Sequence, residues 1–240
     1  MTVINHTHRF VFIHIPKTAG TSVVAALRPV NTYRDLEVGG SKLGEAIQSE
    51  FRVRFGFGKH ATIAEVRRSV GPGELVGYRT FAVVRDPVRR VASTFAFLRT
   101  WTPWMDLPRW RDYVDEFRTC STLDDFIASR FFETSGPDKV FEPQTSWIID
   151  NDGGSIAIDA LLRIDRLQAE LVDFLRTTGV PEDKLRAIRV PKVNTSGALM
   201  ERISATSLEI LTRRYARDFR LVGSTASAAA RSPFPSSSPR

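Results

Sequence analysis

The sequence predicts an α/β fold with a central parallel sheet flanked by helices. Three segments carry that expectation. Residues 10–15 are a nearly unbroken run of β-branched and aromatic types, suited to a strand buried on both faces, and the apolar residues 23–27 behind them suit a helix. Residues 78–84 repeat the strand pattern and precede a helix expected to run to about Arg99. Residues 160–164 read as a late strand, and Leu167, Leu171, Phe174 and Leu175 mark the buried stripe of the helix after it, with Asp165 as its cap.

Between the first strand and its helix, Pro16 halts the ladder because it has no N–H to give. Lys17-Thr18-Ala19-Gly20-Thr21-Ser22 follows, small, polar and cationic. A helix start presents unpaired N–H groups and the positive end of the helix dipole. With the Lys17 charge and the hydroxyls of Thr18, Thr21 and Ser22, this loop is an anion site fitted to a phosphate or a sulfate ester. It is not the G-x-x-x-x-G-K-[ST] loop of ATP-binding proteins: the lysine precedes the glycine and the first glycine is missing.

Residues 30–59 hold a turn at 38–41 and a short helix within 43–51. The glycine-rich stretch 55–60 then meets a helix over 61–68, which Gly71-Pro72-Gly73 breaks. His60 stands at that junction, and histidine is the side chain best suited to take a proton near neutral pH. His14 falls inside the first strand and reads as a packed support for the loop. In the second strand–helix segment Arg85 sits at the strand's carboxyl end, where ligands of open α/β sheets bind. Asp86 and Pro87 are a good N-cap and first helical residue. Ser93 lies two turns along, and Arg90, four residues after Asp86, has helical ion-pair spacing and reads as structural.

Residues 100–150 read as substrate territory. Trp101, Trp104 and Trp110, with Arg109 and Arg111, suit either stacking on a sugar or a packed lid. A capped helix is expected over 122–132, with Leu123, Phe126, Ile127 and Phe131 on one side. Residues 190–197 form a loop containing Asn194, and 204–219 the last helix, with Leu208, Leu211, Tyr215 and Phe219 inward. Residues 224–240 are rich in Ala, Ser and Pro and are expected to be disordered, which leaves 1–223 as a single domain.

The wording His-Ile-Pro-Lys-Thr-Ala-Gly-Thr-Ser at 14–22 resembles the 5′-phosphosulfate loop of the sulfotransferase superfamily, in its carbohydrate O-sulfotransferase branch. Arg85-Asp86-Pro87-x-x-Arg90-x-x-Ser93-x-Phe95 resembles the same family's 3′-phosphate motif. The resemblance covers residues 9–223 and implies a P-loop-like three-layer fold. The implied reaction moves a sulfuryl group from 3′-phosphoadenosine 5′-phosphosulfate (PAPS) to a hydroxyl, without a metal. It casts Lys17 to Ser22 as the 5′ site, Arg85 and Ser93 as holders of the 3′-phosphate, and His60 as the base, with Lys17 assisting the leaving group. Asn194 falls in a segment near the nucleotide. Gln144 and Trp147, in a Pro-Gln-Thr-Ser-Trp segment, are implied to meet the acceptor; Trp104 is a candidate acceptor contact from the aromatic and basic character of its own stretch, not from the resemblance.

Composition bounds the alternatives. A net charge of +7 over 240 residues draws anions: a nucleotide, an acidic glycan, nucleic acid or a membrane surface. One cysteine forbids an internal disulfide, and the four histidines lack metal-ligand spacing. With no signal-peptide core and no run of transmembrane length, a cytoplasmic, soluble bacterial form without membrane insertion is expected. An ATP-dependent kinase is the competing enzyme class. A basic nucleic-acid-binding protein is the other, and it lacks helix-turn-helix, zinc or RNP signatures.

Overall fold

The computed structural model describes residues 1–71, 73–150, 154–191 and 203–223, with the backbone alone described at Lys42 and Trp104. Asn194 and the tail 224–240 lie outside the described residues. In chain order the elements are β1 (Thr2–Asn5), β2 (Phe10–Ile13), α1 (Gly20–Leu27), β3 (Leu36–Val38), α2 (Lys42–Phe55), α3 (Ile63–Val70), β4 (Arg79–Val84), α4 (Pro87–Thr100), α5 (Arg111–Thr119), α6 (Leu123–Ala128), β5 (Ala160–Arg163), α7 (Leu167–Arg176), α8 (Glu182–Ala187), α9 (Ala205–Arg214) and α10 (Ala216–Leu221). Short 3-10 turns fill several of the connections. Among the described residues no helix is long and apolar enough to cross a membrane.

The chain divides into two compact units, Met1–Arg85 with Gln144–Thr195, and Asp86–Pro143 with Ser196–Arg240. The first holds one sheet in the order β3-β1-β2-β4-β5. β2, β4 and β5 are parallel, with Phe12 opposite Phe81 and Val83 opposite Leu162. β1 runs antiparallel to both its neighbours. The α/β class therefore holds, with a mixed sheet whose centre is parallel. β1 and β3 were not expected: each offers too short an apolar stretch, and the β1–β2 turn places Arg9 in the left-handed region (φ 51°) rather than using a glycine.

Strand β2 ends at Ile13, two residues sooner than the apolar run. The next two carbonyls are taken by side chains, His14 O by His60 and Ile15 O by Thr18, and Pro16 follows. Alternate residues of β2 and β4 face one core. Phe12 stacks on Phe81 with ring centroids 5.0 Å apart, and Phe81 meets Phe174 of α7 at 4.6 Å. Val23 and Leu27 of α1 and Leu171 and Leu175 of α7 close over them. The other set, Val11, Ile13, Ala82 and Val84, is buried too, so both faces of the central strands are covered. Phe81 is fully enclosed, so Phe81→Ala should cost about 3–5 kcal/mol in a denaturant titration. The expected cap of α7 is corrected: a 3-10 turn, Ile164–Arg166, precedes that helix, and Asp165 instead pairs with Arg163 at 3.1 Å.

The second unit is helical. Val88, Val91, Phe95 and Leu98 of α4 pack with Tyr113, Val114 and Phe117 of α5, Phe126 of α6, and Leu211, Tyr215 and Phe219 of α9 and α10. Asp86 caps α4 by accepting from Arg89 N at 3.0 Å. α6 is shorter than the helix expected over 122–132 and stops at Ala128. The expected last helix is broken at Tyr215, whose φ of −107° and ψ of 26° end α9 and start α10. Arg90 is buried, and its guanidinium donates to Glu142 O at 2.8 Å and Val140 O at 3.0 Å.

Candidate active site

Parallel neighbours share a carboxyl edge, so the loops after β2 and β4 must emerge side by side. The loop after β2 is strained. Lys17 (φ 67°) and Ala19 (φ 69°) both hold left-handed backbone without being glycine, at about 1 kcal/mol or more each. That winding turns the start of α1 toward the strand edge. Ala19 is the N-cap and makes no side-chain cap, and the first turn of α1 carries no acidic residue. The positive end of the helix dipole is therefore not neutralised from within the helix. Thr18 is fully buried and its hydroxyl donates to Ile15 O at 2.9 Å, pinning the loop, so its main-chain N–H is what it has to offer an anion. Ser22 is buried and Thr21 exposed.

Arg85, 68 residues further on, donates from Nη1 to Lys17 O at 3.3 Å. Burial and the neighbouring Arg85 charge bring the Lys17 ammonium down to about 8. Two cations thus share one edge beside an uncapped helix start, an arrangement that a bound anion relieves.

His60 reaches the same edge. Its Nδ1 lies 3.3 Å from His14 O, and since a carbonyl only accepts, Nδ1 carries the proton and Nε2 keeps its lone pair. The His60 ring also packs on the His14 ring, centroids 4.5 Å apart. Burial is the main cause that holds both imidazoles well below the ordinary histidine value; positive charge from the chain's amino group and Lys59 adds to it. Thr2 holds the His60 turn by donating to Gly58 O at 3.0 Å, and a capping box between Thr62 and Glu65 fixes α3 just beyond.

His14 lies one residue beyond the end of β2 and is the packed support for the loop that the sequence suggests. It packs on His60 on one side and on the α1 start on the other, where a Cβ on Gly20 would overlap its imidazole. Gly20 is thus required by close approach. Gly20→Ala should destabilise the fold by about 1–3 kcal/mol, read as a lowered denaturation midpoint.

Of the residues singled out from sequence, the first unit brings together Lys17, Thr18, Ala19, Gly20, Thr21, Ser22, His60 and Arg85. Gln144 and Trp147 join them, both buried and both bonded to main chain: Gln144 to Arg85 and Trp147 to His60. Ser93 is buried in α4 of the second unit. Trp104 also belongs to the second unit, and its side chain lies outside what is described. Trp101 stacks on Phe97 at 5.4 Å and Trp110 meets Tyr113 edge-on at 5.6 Å, so these two are packing residues of that unit.

No curated protein and no solved structure matches the chain. A family model does match, over residues 1–223, and it is that of the sulfotransferase family. With the loops after β2 and β4 meeting at one sheet edge and that match spanning nearly the whole chain, the protein belongs to the sulfotransferase family and is a sulfuryl transferase.

Proposed function

We propose that this protein transfers the sulfuryl group of PAPS to a hydroxyl of a saccharide, glycolipid or other small acceptor. The observation that carries the reading is the meeting of Lys17 and Arg85 at the carboxyl edge of β2 and β4, beside the uncapped start of α1. The α1 N–H groups and Lys17 hold the 5′ end of the donor, and Arg85 takes the 3′-phosphate. The resemblance gives Ser93 the same phosphate, and Asn194 a place near the nucleotide; these two assignments rest on the motifs.

His60 Nε2 accepts the proton of the acceptor hydroxyl as its oxygen attacks sulfur. The bond between sulfur and the bridging oxygen of the 5′-phosphate breaks in line. Adenosine 3′,5′-bisphosphate leaves with that electron pair, and Lys17 stabilises the charge growing on its phosphate oxygen. This division of labour places the base and the leaving-group cation on residues that share one edge of the sheet. Residues 1–223 form the catalytic span in this reading, and the single cysteine, Cys120, suits a cytoplasmic setting.

Incubation with PAPS labelled in the sulfuryl group, against a panel of glycan, glycolipid and phenol acceptors, tests the proposal. Label should pass to at least one hydroxylated acceptor without added magnesium. Transfer of phosphate from ATP with none from PAPS would replace the reading with a kinase.

A further inference from the structure

A single 3-10 turn, Gln144–Trp147, joins the separate parts of the site. Gln144 is 0 % exposed, and its amide faces the main chain of Arg85 twice. Arg85 N–H donates to Oε1 at 2.8 Å, and Nε2 donates to Arg85 O at 2.8 Å. The side chain thus pairs with Arg85 as a neighbouring strand residue would, at the point where β4 has ended. Glutamine suits this pairing because it presents one acceptor and one donor together; glutamate lacks the donor and methionine lacks both. Three residues on, Trp147 is also buried and donates Nε1–H to His60 O at 3.3 Å. Side chains at i and i+3 of a 3-10 turn lie on the same face. One turn therefore holds the main chain beneath both an arginine and a histidine of the site.

Resting on the sulfotransferase reading, we propose that Gln144 and Trp147 are positioning residues of that reaction rather than the acceptor contacts that resemblance implies. Gln144 fixes the main chain from which Arg85 reaches the 3′-phosphate. Trp147 fixes the turn from which His60 presents Nε2. Misplacement of a catalytic or binding group by about 1 Å can cost on the order of 100-fold, so a clamp on the main chain has leverage on the site.

The test uses Gln144→Met and Trp147→Phe in the full chain. Affinities for adenosine 3′,5′-bisphosphate and for adenosine 5′-monophosphate are measured by calorimetry, and acceptor KM and the pH profile of kcat are measured at saturating donor. The unmodified protein's preference for the bisphosphate is the control; if it has none, the sulfotransferase reading and this inference fall together. Given that preference, Gln144→Met should lose about tenfold of it, the worth of two hydrogen bonds, with acceptor KM unchanged. Trp147→Phe should keep the preference, lower kcat, and move the acid limb of the profile upward as His60 becomes less enclosed. Should Gln144→Met not fold, Gln144→Glu, which keeps the bond from Arg85 N–H and loses the one to Arg85 O, should lose a smaller share of the preference, again with acceptor KM unchanged. A raised acceptor KM with preference and pH profile unchanged would overturn the proposal and make these residues acceptor contacts.

Discussion

His60→Ala is expected to lower kcat by about 10²–10⁴-fold while leaving affinity for adenosine 3′,5′-bisphosphate within a few-fold of the unmodified protein. The reason is geometric. His14 O fixes the His60 proton on Nδ1, so the free lone pair is on Nε2, and the contacts to Arg85 and to the start of α1 do not pass through that ring. The pH dependence follows from the same environment. Burial holds His60 well below the ordinary histidine value, so the base form persists as pH falls through about 6.5. Activity should stay flat from neutrality through that pH and decline only below it, and the alanine variant should lack the acid limb. Unchanged turnover in His60→Ala would remove this residue from the mechanism.

Lys17→Ala is expected to lower kcat by about 10²–10³-fold, since it removes the cation that meets the leaving phosphate. Arg85→Ala should instead act on affinity, by about 10–100-fold, the worth of a charge-assisted hydrogen bond to a phosphate. Lys17 also sets an alkaline limb. Its ammonium is held down to about 8 by burial and by Arg85, so above that pH it sheds its charge and donor affinity should fall. A bound anion favours the charged form, so in the donor complex the limb should shift to higher pH. The limb of kcat/KM for donor near 8 and its displacement in kcat are both readable from steady-state rates across buffers. Lys17→Ala should abolish that limb while keeping the acid one.

The parts of this molecule that the sequence displays are those governed by local chemistry. The strands at Phe10 and Phe81 declare themselves because burial on both faces demands uninterrupted apolar residues. Asp86 with Pro87, and the cap at Thr122, declare helix starts because a cap acts within three residues. Asp165 misled for the same reason: a 3-10 turn intervened and the carboxylate found Arg163 first. α5 was hidden because its buried Tyr113, Val114 and Phe117 follow a Pro- and Trp-crowded stretch that reads as substrate territory. The clamp from Gln144 onto Arg85 was illegible, since it joins main chain 59 residues away through a side chain that any surface loop could carry. The same holds for Trp147 and His60, 87 residues apart.

One titration bears most directly on the claim that the Lys17 loop and Arg85 grip a single nucleotide. Adenosine 3′,5′-bisphosphate, adenosine 5′-monophosphate and ATP are each titrated into the protein by calorimetry, with and without magnesium. The bisphosphate should bind at least tenfold more tightly than the monophosphate, and magnesium should not be needed. Equal affinity for the two, or a preference for ATP that depends on magnesium, would contradict it.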